Sequence, residues 1–162
     1  MKSTRALALA VASRNDALEF ANRTLKNLRH VETASENGED VHVVTQLANS
    51  LLGLVVFPWE RNFVAHIESL KLIDLAARGW PKWKIAVGSC MTLGELTRHL
   101  RNAVAHGRIT YSSDGRSDLT VILTVTDCRV KNAAPYWKAS IRASDLRQFC
   151  EKFIELIENT IG

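Results

Sequence analysis

The sequence predicts one mainly α-helical domain, a helical bundle with a small antiparallel β-sheet inserted before the last helix. The chain has 162 residues, a length that suits a single domain with one core. Apolar residues recur at three- and four-residue intervals near both ends, as in amphipathic helices. Over residues 108–142 they alternate instead, as in half-buried strands. We therefore expect one domain over residues 1–162, with a β insertion at about 108–142.

Two helices are predicted in the first sixty residues. The first spans about 16–34, and its apolar positions are Leu18, Ala21, Leu25, Leu28 and Val31. A polar loop over about 32–40 separates it from a second helix at about 41–57, which Pro58 is expected to end. The apolar face of the second helix carries Leu47, Leu51, Leu54 and Val55. Residues 1–13 fit either a helix or a frayed tail.

The pattern over residues 59–90 is less regular. Ser69 is the candidate cap of a short helix that Gly79-Trp80-Pro81 ends. Rings and cations then interleave at Trp80, Lys82, Trp83 and Lys84. Such a run is typical of single-strand binders, but tryptophans beside a proline also close the edge of a core. Both interpretations stay open.

The helix that the sequence defines best spans residues 92–106. Thr92 and Glu95 have the spacing of a capping box, and Gly107 suits the C-terminal cap. At 100° per residue, one face carries Leu93, Leu96, Leu100, Ala103 and Val104. A polar stripe, within roughly 40° of His106, consists of Glu95, His99 and Asn102. Arg101 lies about 140° from His106, so its long side chain must curl round to reach the stripe.

A hairpin and a third strand are predicted after this helix. Residues 108–112 and 119–126 flank a turn at Asp114-Gly115, and 136–142 form a candidate third strand. Ser144 is then expected to cap a last helix. The apolar side of that helix carries Leu146, Phe149, Cys150, Phe153, Ile154 and Ile157.

Composition and charge are those of an ordinary globular protein. The net charge of +4 permits an anionic partner without requiring one. The three cysteines form no Cys-x-x-Cys pair, which argues against a disulfide framework or a zinc knuckle. The longest apolar run, residues 51–57, is too short to span a membrane, and the Ala-rich start is soon followed by Arg14 and Asp16. We expect a cytoplasmic protein that does not engage a membrane.

Arg101, Asn102 and His106 form the candidate site. Arginine can hold two phosphate oxygens with its planar fork, and histidine can move a proton near neutral pH. The alternative is an ordinary solvated helix face with a histidine favoured by the helix dipole. Spacing alone cannot decide, because residues 61–66, Arg-Asn-Phe-Val-Ala-His, nearly repeat the pattern. Only the second copy follows a capping signal and precedes a glycine.

Residues 100–107, Leu-Arg-Asn-Ala-Val-Ala-His-Gly, resemble the signature of the HEPN superfamily (higher eukaryotes and prokaryotes nucleotide-binding). Residues 46–58 and Gly79-Trp80-Pro81 are similar to its plasmid- and defence-associated branch, so the likeness covers about 41–110. The resemblance implies a helical bundle that pairs as a dimer. It also implies metal-independent endoribonuclease activity, often in toxin–antitoxin or anti-phage systems. Arg101 and His106 would then be catalytic, with Asn102 as the polar residue of the motif.

RNA cleavage without a metal needs a base for the 2′-OH, an acid for the leaving oxygen and a cation for the phosphorane. One histidine cannot be both base and acid in one step, so two protomers that share a composite site are favoured. The lower-ranked alternative is a monomer in which His99 of the same chain supplies the second proton-transfer group. The residues flanking the motif that are expected to bind RNA are Arg98, His99 and Arg108. No metal or cofactor is expected. The expected partners are RNA, a second copy of the chain, and an antitoxin or other protein.

Two other functions stay open. The first is a catalytically inactive HEPN-like module that binds RNA, a nucleotide or a protein. The second is a structural helical adaptor whose polar stripe only faces solvent.

Overall fold

The fold is a bundle of long helices joined to a four-stranded antiparallel sheet, as predicted. The computed structural model describes residues 2–60, 64–113, 120–130 and 133–161. Its helices are α1 (Lys2–Glu36), α2 (Val43–Glu60), α3 (Val64–Ile67), α4 (Leu72–Ala77), α5 (Leu93–Ala105) and α6 (Ala143–Ile161). Its strands are β1 (Lys84–Val87), β2 (Ile109–Tyr111), β3 (Ile122–Asp127) and β4 (Trp137–Arg142).

Helices α1, α2 and α6 pack pairwise against one another and form the bundle. Gly53 of α2 allows a close approach to α1, because a Cβ atom there would lie 2.7 Å from the ring of Phe20. Arg147 of α6 donates from Nε to Glu32 Oε1 of α1 at 2.6 Å. The apolar faces predicted for α2 and α6 are confirmed, since their named residues are buried.

The sheet has the strand order β1-β4-β3-β2, and every neighbouring pair is antiparallel. The predicted hairpin is confirmed, with Ile109 opposite Val125 and Tyr111 opposite Leu123. The predicted third strand is β4, which pairs with β3 along its length. Strand β1, which precedes α5, was not predicted. Three of its four residues are exposed and the other is half-buried, so the strand shows no alternation of buried and exposed positions. The sheet is therefore not one insertion, because its strands flank α5 on both sides along the chain.

Helix α5 lies between the sheet and the bundle, in contact with β3 and with α2. The face predicted to be apolar is buried at Leu93, Leu96, Leu100 and Ala103, while Val104 is half-buried. This position leaves the C-terminal end of α5 beside the start of β2 and the end of β3.

The predicted start of α1 and the predicted end of α2 were wrong. Helix α1 begins at Lys2 and not near residue 16, so of the two alternatives open for the first residues the helix holds over residues 2–13. Helix α2 continues through Pro58 to Glu60. A proline removes one backbone donor, and this loss is small where the helix ends within the same turn. Arg61 and Asn62 of the near-copy of the motif, and the Asp114-Gly115 turn, lie outside the described residues.

Two predicted helix caps were also wrong. Ser69 does not cap α4. The N-cap residue is Lys71, which pairs with Thr92 in an isolated antiparallel bridge. Because Lys71 has an extended backbone in this bridge, α4 begins only at Leu72. Ser144 lies inside α6, because β4 runs directly into the helix and the Ala143 N–H donates to Val121 O at 2.9 Å.

Candidate active site

The start of α5 is fixed by a complete capping box. Thr92 Oγ1 accepts from the Glu95 N–H at 3.2 Å, and Glu95 Oε2 accepts from the Thr92 N–H at 3.3 Å. Glu95 also accepts from the Met91 N–H at 2.7 Å, and this bond is the main reason why the pKa of Glu95 lies below its ordinary value. The predicted cap is confirmed. It fixes the residue at which α5 begins and stabilises the first turn of the helix.

The end of α5 is a Schellman turn. The Gly107 N–H donates to Val104 O at 2.9 Å, and the Arg108 N–H donates to Ala103 O at 2.8 Å. Gly107 has a φ of 63°, in the left-handed region that favours glycine. His106 is the residue at the C-cap, and it is exposed. The turn sends the chain directly into β2 and leaves His106 at a bend on the surface.

Of the three candidate catalytic residues, Arg101 and Asn102 lie near the end of α5 and His106 is its C-cap residue. Arg101 and Asn102 are half-buried, whereas His106 is exposed. The His106 N–H donates to Asn102 O at 3.3 Å, so the backbone links these two positions directly. An arginine, an amide and an imidazole therefore stand at one helix end. Such a group can hold an anion and move a proton beside it.

Behind this end lies a buried carboxylate, Asp127, at the end of β3. Its Oδ2 accepts from Asn102 Nδ2 at 3.1 Å and from the Tyr136 hydroxyl at 2.5 Å. The same oxygen lies 2.9 Å from Nδ1 of His99. Arg108 Nη1 lies 4.0 Å from Oδ1 and donates to Cys128 O at 2.9 Å. We name Asp127, His99, Asn102 and Tyr136 the Asp127 network.

Sequence reasoning missed Asp127 and Tyr136. A signal for Asp127 was present: Val121, Leu123 and Val125 alternate inward, and the same alternation carries residue 127 to the buried side. Asp127 is 2% exposed. A charged residue in an inward-facing position needs partners from elsewhere in the fold, and such a position is a candidate for a functional role.

The network keeps Asp127 ionised. Burial by itself raises the pKa of a carboxyl group, but hydrogen bonds from Tyr136, His99 and Asn102 outweigh it. The pKa of Asp127 therefore lies below its ordinary value. Burial and the nearby carboxylate raise the pKa of Tyr136, which thus stays protonated and donates to Asp127.

The flanking residues expected to bind RNA differ in their placement. Arg98 is exposed, and Arg108 is half-buried against the network. His99 is 5% exposed and its ring stacks on Trp137 at a centroid distance of 4.5 Å. The polar stripe drawn by angle is therefore not uniformly solvated. The structure places His99 among core residues rather than on the surface.

The tryptophans of the 80–84 segment lie in the core. Trp80 and Trp83 each meet Phe149 edge-on, at centroid distances of 5.5 and 5.8 Å. Both are nine-tenths buried and line an apolar cavity of about 530 Å³ together with Leu96. This cavity adjoins the first half of α5, whereas the motif lies at the C-terminal end of the helix. The placement favours the core interpretation over base stacking.

Within the described ranges, no helix is both long and apolar enough to cross a membrane. The same residues include no group of three or more histidine, cysteine, aspartate or glutamate side chains placed to hold a metal ion.

Comparison with known proteins gives one family. The sequence model of the family described as HEPN pEK499 p136 matches residues 1–162. No curated protein and no solved structure matches the chain. Because the match covers the whole chain, the protein belongs to the HEPN pEK499 p136 family, and membership indicates a nucleotide-binding or ribonuclease-like function.

Proposed function

We propose that this HEPN-family protein is a metal-independent endoribonuclease that cleaves RNA by attack of the ribose 2′-OH. The observation that carries the proposal is the Schellman end of α5, where exposed His106 follows half-buried Arg101 and Asn102 on one helix. HEPN domains often bind RNA and form dimers. The motif matches in sequence, and the helix that carries it is capped at both ends.

Arg101 and His106 have distinct parts in the proposed reaction. A base removes the proton of the 2′-OH, and the oxygen attacks the adjacent phosphorus. The Arg101 guanidinium holds the charge that develops on the phosphoryl oxygens. An acid protonates the departing 5′-oxygen, and the products are a 2′,3′-cyclic phosphate and a 5′-hydroxyl. His106 takes the proton-transfer part, for which a positioned side chain contributes about 10²–10⁴-fold.

The base and the acid come from two copies of His106 in a homodimer. A two-fold axis beside the exposed ends of α5 brings the two motifs together in one composite site. The exposure of His106 supports this arrangement, because a surface side chain is free to meet its symmetry mate. His99 is the weaker source of a second proton group, since it is buried and bound to Asp127.

The RNA contacts around this site come chiefly from exposed Arg98. Arg108 contributes a nearby positive charge while its Nη1 stays bonded to Cys128 O. His99 contributes through the Asp127 network rather than by direct contact with phosphate. These cations bind the RNA backbone and are therefore sensitive to salt.

The biological role proposed for this activity is that of a toxin or anti-phage defence effector. It rests on the similarity of residues 46–58 and 79–81 to the plasmid- and defence-associated branch. An antitoxin or another inhibitory protein is then the expected partner, and the cytoplasm, where RNA is accessible, is the expected compartment.

The test is to express Arg101→Ala and His106→Ala beside the parent and to measure host growth and RNA integrity. We expect the parent to slow growth and to leave RNA ends with cyclic phosphate, and both variants to lose at least about 10²-fold in cleavage. Purified parent should keep its activity in EDTA and should leave a DNA strand of the same sequence intact, because DNA lacks the nucleophile.

Arg61→Ala and His66→Ala form the matched control, since they alter the near-copy of the motif and should retain activity. An active parent whose Arg101 and His106 variants remain fully active would remove the site assignment. Specific RNA binding without cleavage by the folded parent would favour the inactive binding module instead. A strictly monomeric active protein in light scattering would contradict the composite site.

A further inference from the structure

We propose that Asp127 is a positioning residue for the motif, one that orients the Asn102 side chain so that its carbonyl oxygen is presented to the RNA. This inference rests on the proposed function. The proposed reaction gives roles to Arg101 and His106, but it leaves Asn102 and the buried carboxylate that binds it without one. The Asp127 network contacts the motif at Asn102, through the 3.1 Å bond from Nδ2 to Asp127 Oδ2.

The chemistry of the two groups decides which way the Asn102 amide faces. An ionised carboxylate only accepts hydrogen bonds, whereas an amide carries an NH₂ donor on one branch and a carbonyl acceptor on the other. The reverse orientation would set the amide oxygen against the carboxylate. The amide therefore turns its NH₂ group to Asp127, and its Oδ1 atom points away as an acceptor. The lowered pKa of Asp127 maintains this selection at neutral pH.

An outward acceptor suits a defined task in the proposed reaction. The ribose 2′-OH carries a single proton, and in a three-centre hydrogen bond that proton can point to the amide oxygen and to the base together until the base removes it. An acceptor held in place reduces the freedom of the nucleophile, and misplacement by about 1 Å can cost 10²-fold in rate. A freely turning amide would offer a donor half of the time.

The carboxylate is itself held firmly. Asp127 is paired with Trp137 across β3 and β4, and its backbone oxygen accepts from the Tyr136 N–H at 3.1 Å. The His99 ring, stacked on Trp137, approaches the same carboxylate oxygen from the preceding turn of α5. Asp127 thus joins α5 at residues 99 and 102 to the sheet. The sheet in this way sets the position of the motif.

A double-mutant cycle on the cleavage rate tests the inference. The variants are Asp127→Asn, Asn102→Ala and the pair, each compared at saturating RNA with the amount of folded protein matched by circular dichroism. Asparagine at 127 can donate as well as accept, so it no longer selects one orientation of Asn102. We expect Asp127→Asn to lower kcat about 10-fold to 10²-fold with little change in KM. Asp145→Asn, at an exposed site on α6, is the control and should leave kcat unchanged.

The cycle distinguishes positioning from general support of the fold. If Asp127 acts through Asn102, the double variant should be no slower than Asn102→Ala alone. Independent losses that multiply in the double variant would overturn the proposal. So would an Asp127→Asn variant that is folded and fully active.

A second measurement does not depend on cleavage and uses the unaltered protein. The side-chain amide protons of Asn102 should be shifted and slow to exchange in ¹⁵N-resolved NMR spectra, because one of them is bound to a buried carboxylate. Amide signals like those of a solvated asparagine would overturn the orientation, even if Asp127→Asn fails to fold. A parent that cuts no RNA while its Asn102 amide is protected would refute the nuclease proposal and leave the orientation standing.

Discussion

His99 and His106 lie about two turns apart on α5 and on the same side by angle, yet their surroundings differ completely. His99 is 5% exposed, stacked on Trp137 and hydrogen-bonded to Asp127, while His106 is exposed at the cap. The sheet covers the middle of α5 but not its end. The position of a residue along the helix axis, as well as its angle around the axis, thus decides which histidine is buried in the fold and which is exposed to a substrate.

Replacing each histidine with alanine should give the largest difference in the free energy of unfolding between the two regions. We expect His99→Ala to lower the free energy of unfolding by about 3 kcal/mol, since it removes a buried hydrogen bond to the Asp127 carboxylate and leaves a void against Trp137. His106→Ala should change it by less than about 0.5 kcal/mol. Urea unfolding followed by circular dichroism measures both. Equal losses in the two variants would contradict the distinction.

Asp127→Asn should show how much the negative charge of Asp127 contributes to the stability of the buried region around His99. Near neutral pH we expect a loss of about 2 kcal/mol, because charged hydrogen bonds are replaced by neutral ones. The folded pKa of Asp127 lies below the unfolded value of 3.8, so its stabilisation is complete above about pH 4 and is lost as pH falls through the folded pKa. The variant should therefore lose less stability on acidification than the parent does. Parallel pH profiles would argue against an ionised Asp127.

Gly107→Ala probes the exposed end of the helix. A Cβ atom there meets nothing within 4 Å, so the cost arises from the φ of 63° alone. We expect a loss of about 1.5 kcal/mol in stability. Gly107→Asn, which tolerates this conformation, should recover much of it. If both variants were as stable as the parent, the Schellman turn would not be what fixes His106.

Thr92→Ala probes the opposite end of the same helix. It removes the side-chain bond to the Glu95 N–H and should cost about 1 kcal/mol without altering RNA cleavage in the folded protein. Thr92→Ser keeps the hydroxyl and is the matched control. A selective loss of cleavage in Thr92→Ala would mean that the cap acts on the motif as well as on stability.

Local signals predicted the parts of the site that depend on neighbours in sequence. The Thr92–Glu95 box, the glycine at 107 and the buried leucines of α5 follow from spacing alone. The Asp127 network does not, because His99 and Asp127 come from separate elements and meet only when α5 packs on β3. Helical angle grouped His99 with His106, because periodicity along the helix carries no information about the sheet that covers His99. Strand β1 was missed because four residues are too few to show a recognisable alternation.

The strand order has a consequence for the timing of assembly during synthesis. Strand β1 pairs with β4, so residues 84–87 can join the sheet only after residues 138–140 have been synthesised. Helix α5 emerges from the ribosome between these strands, ahead of the β3 and β4 surfaces that bury His99. Such pairing between distant parts of a chain is slow to form. A nascent chain therefore carries its motif without the strands that support it, and the site is completed only after β4 has emerged.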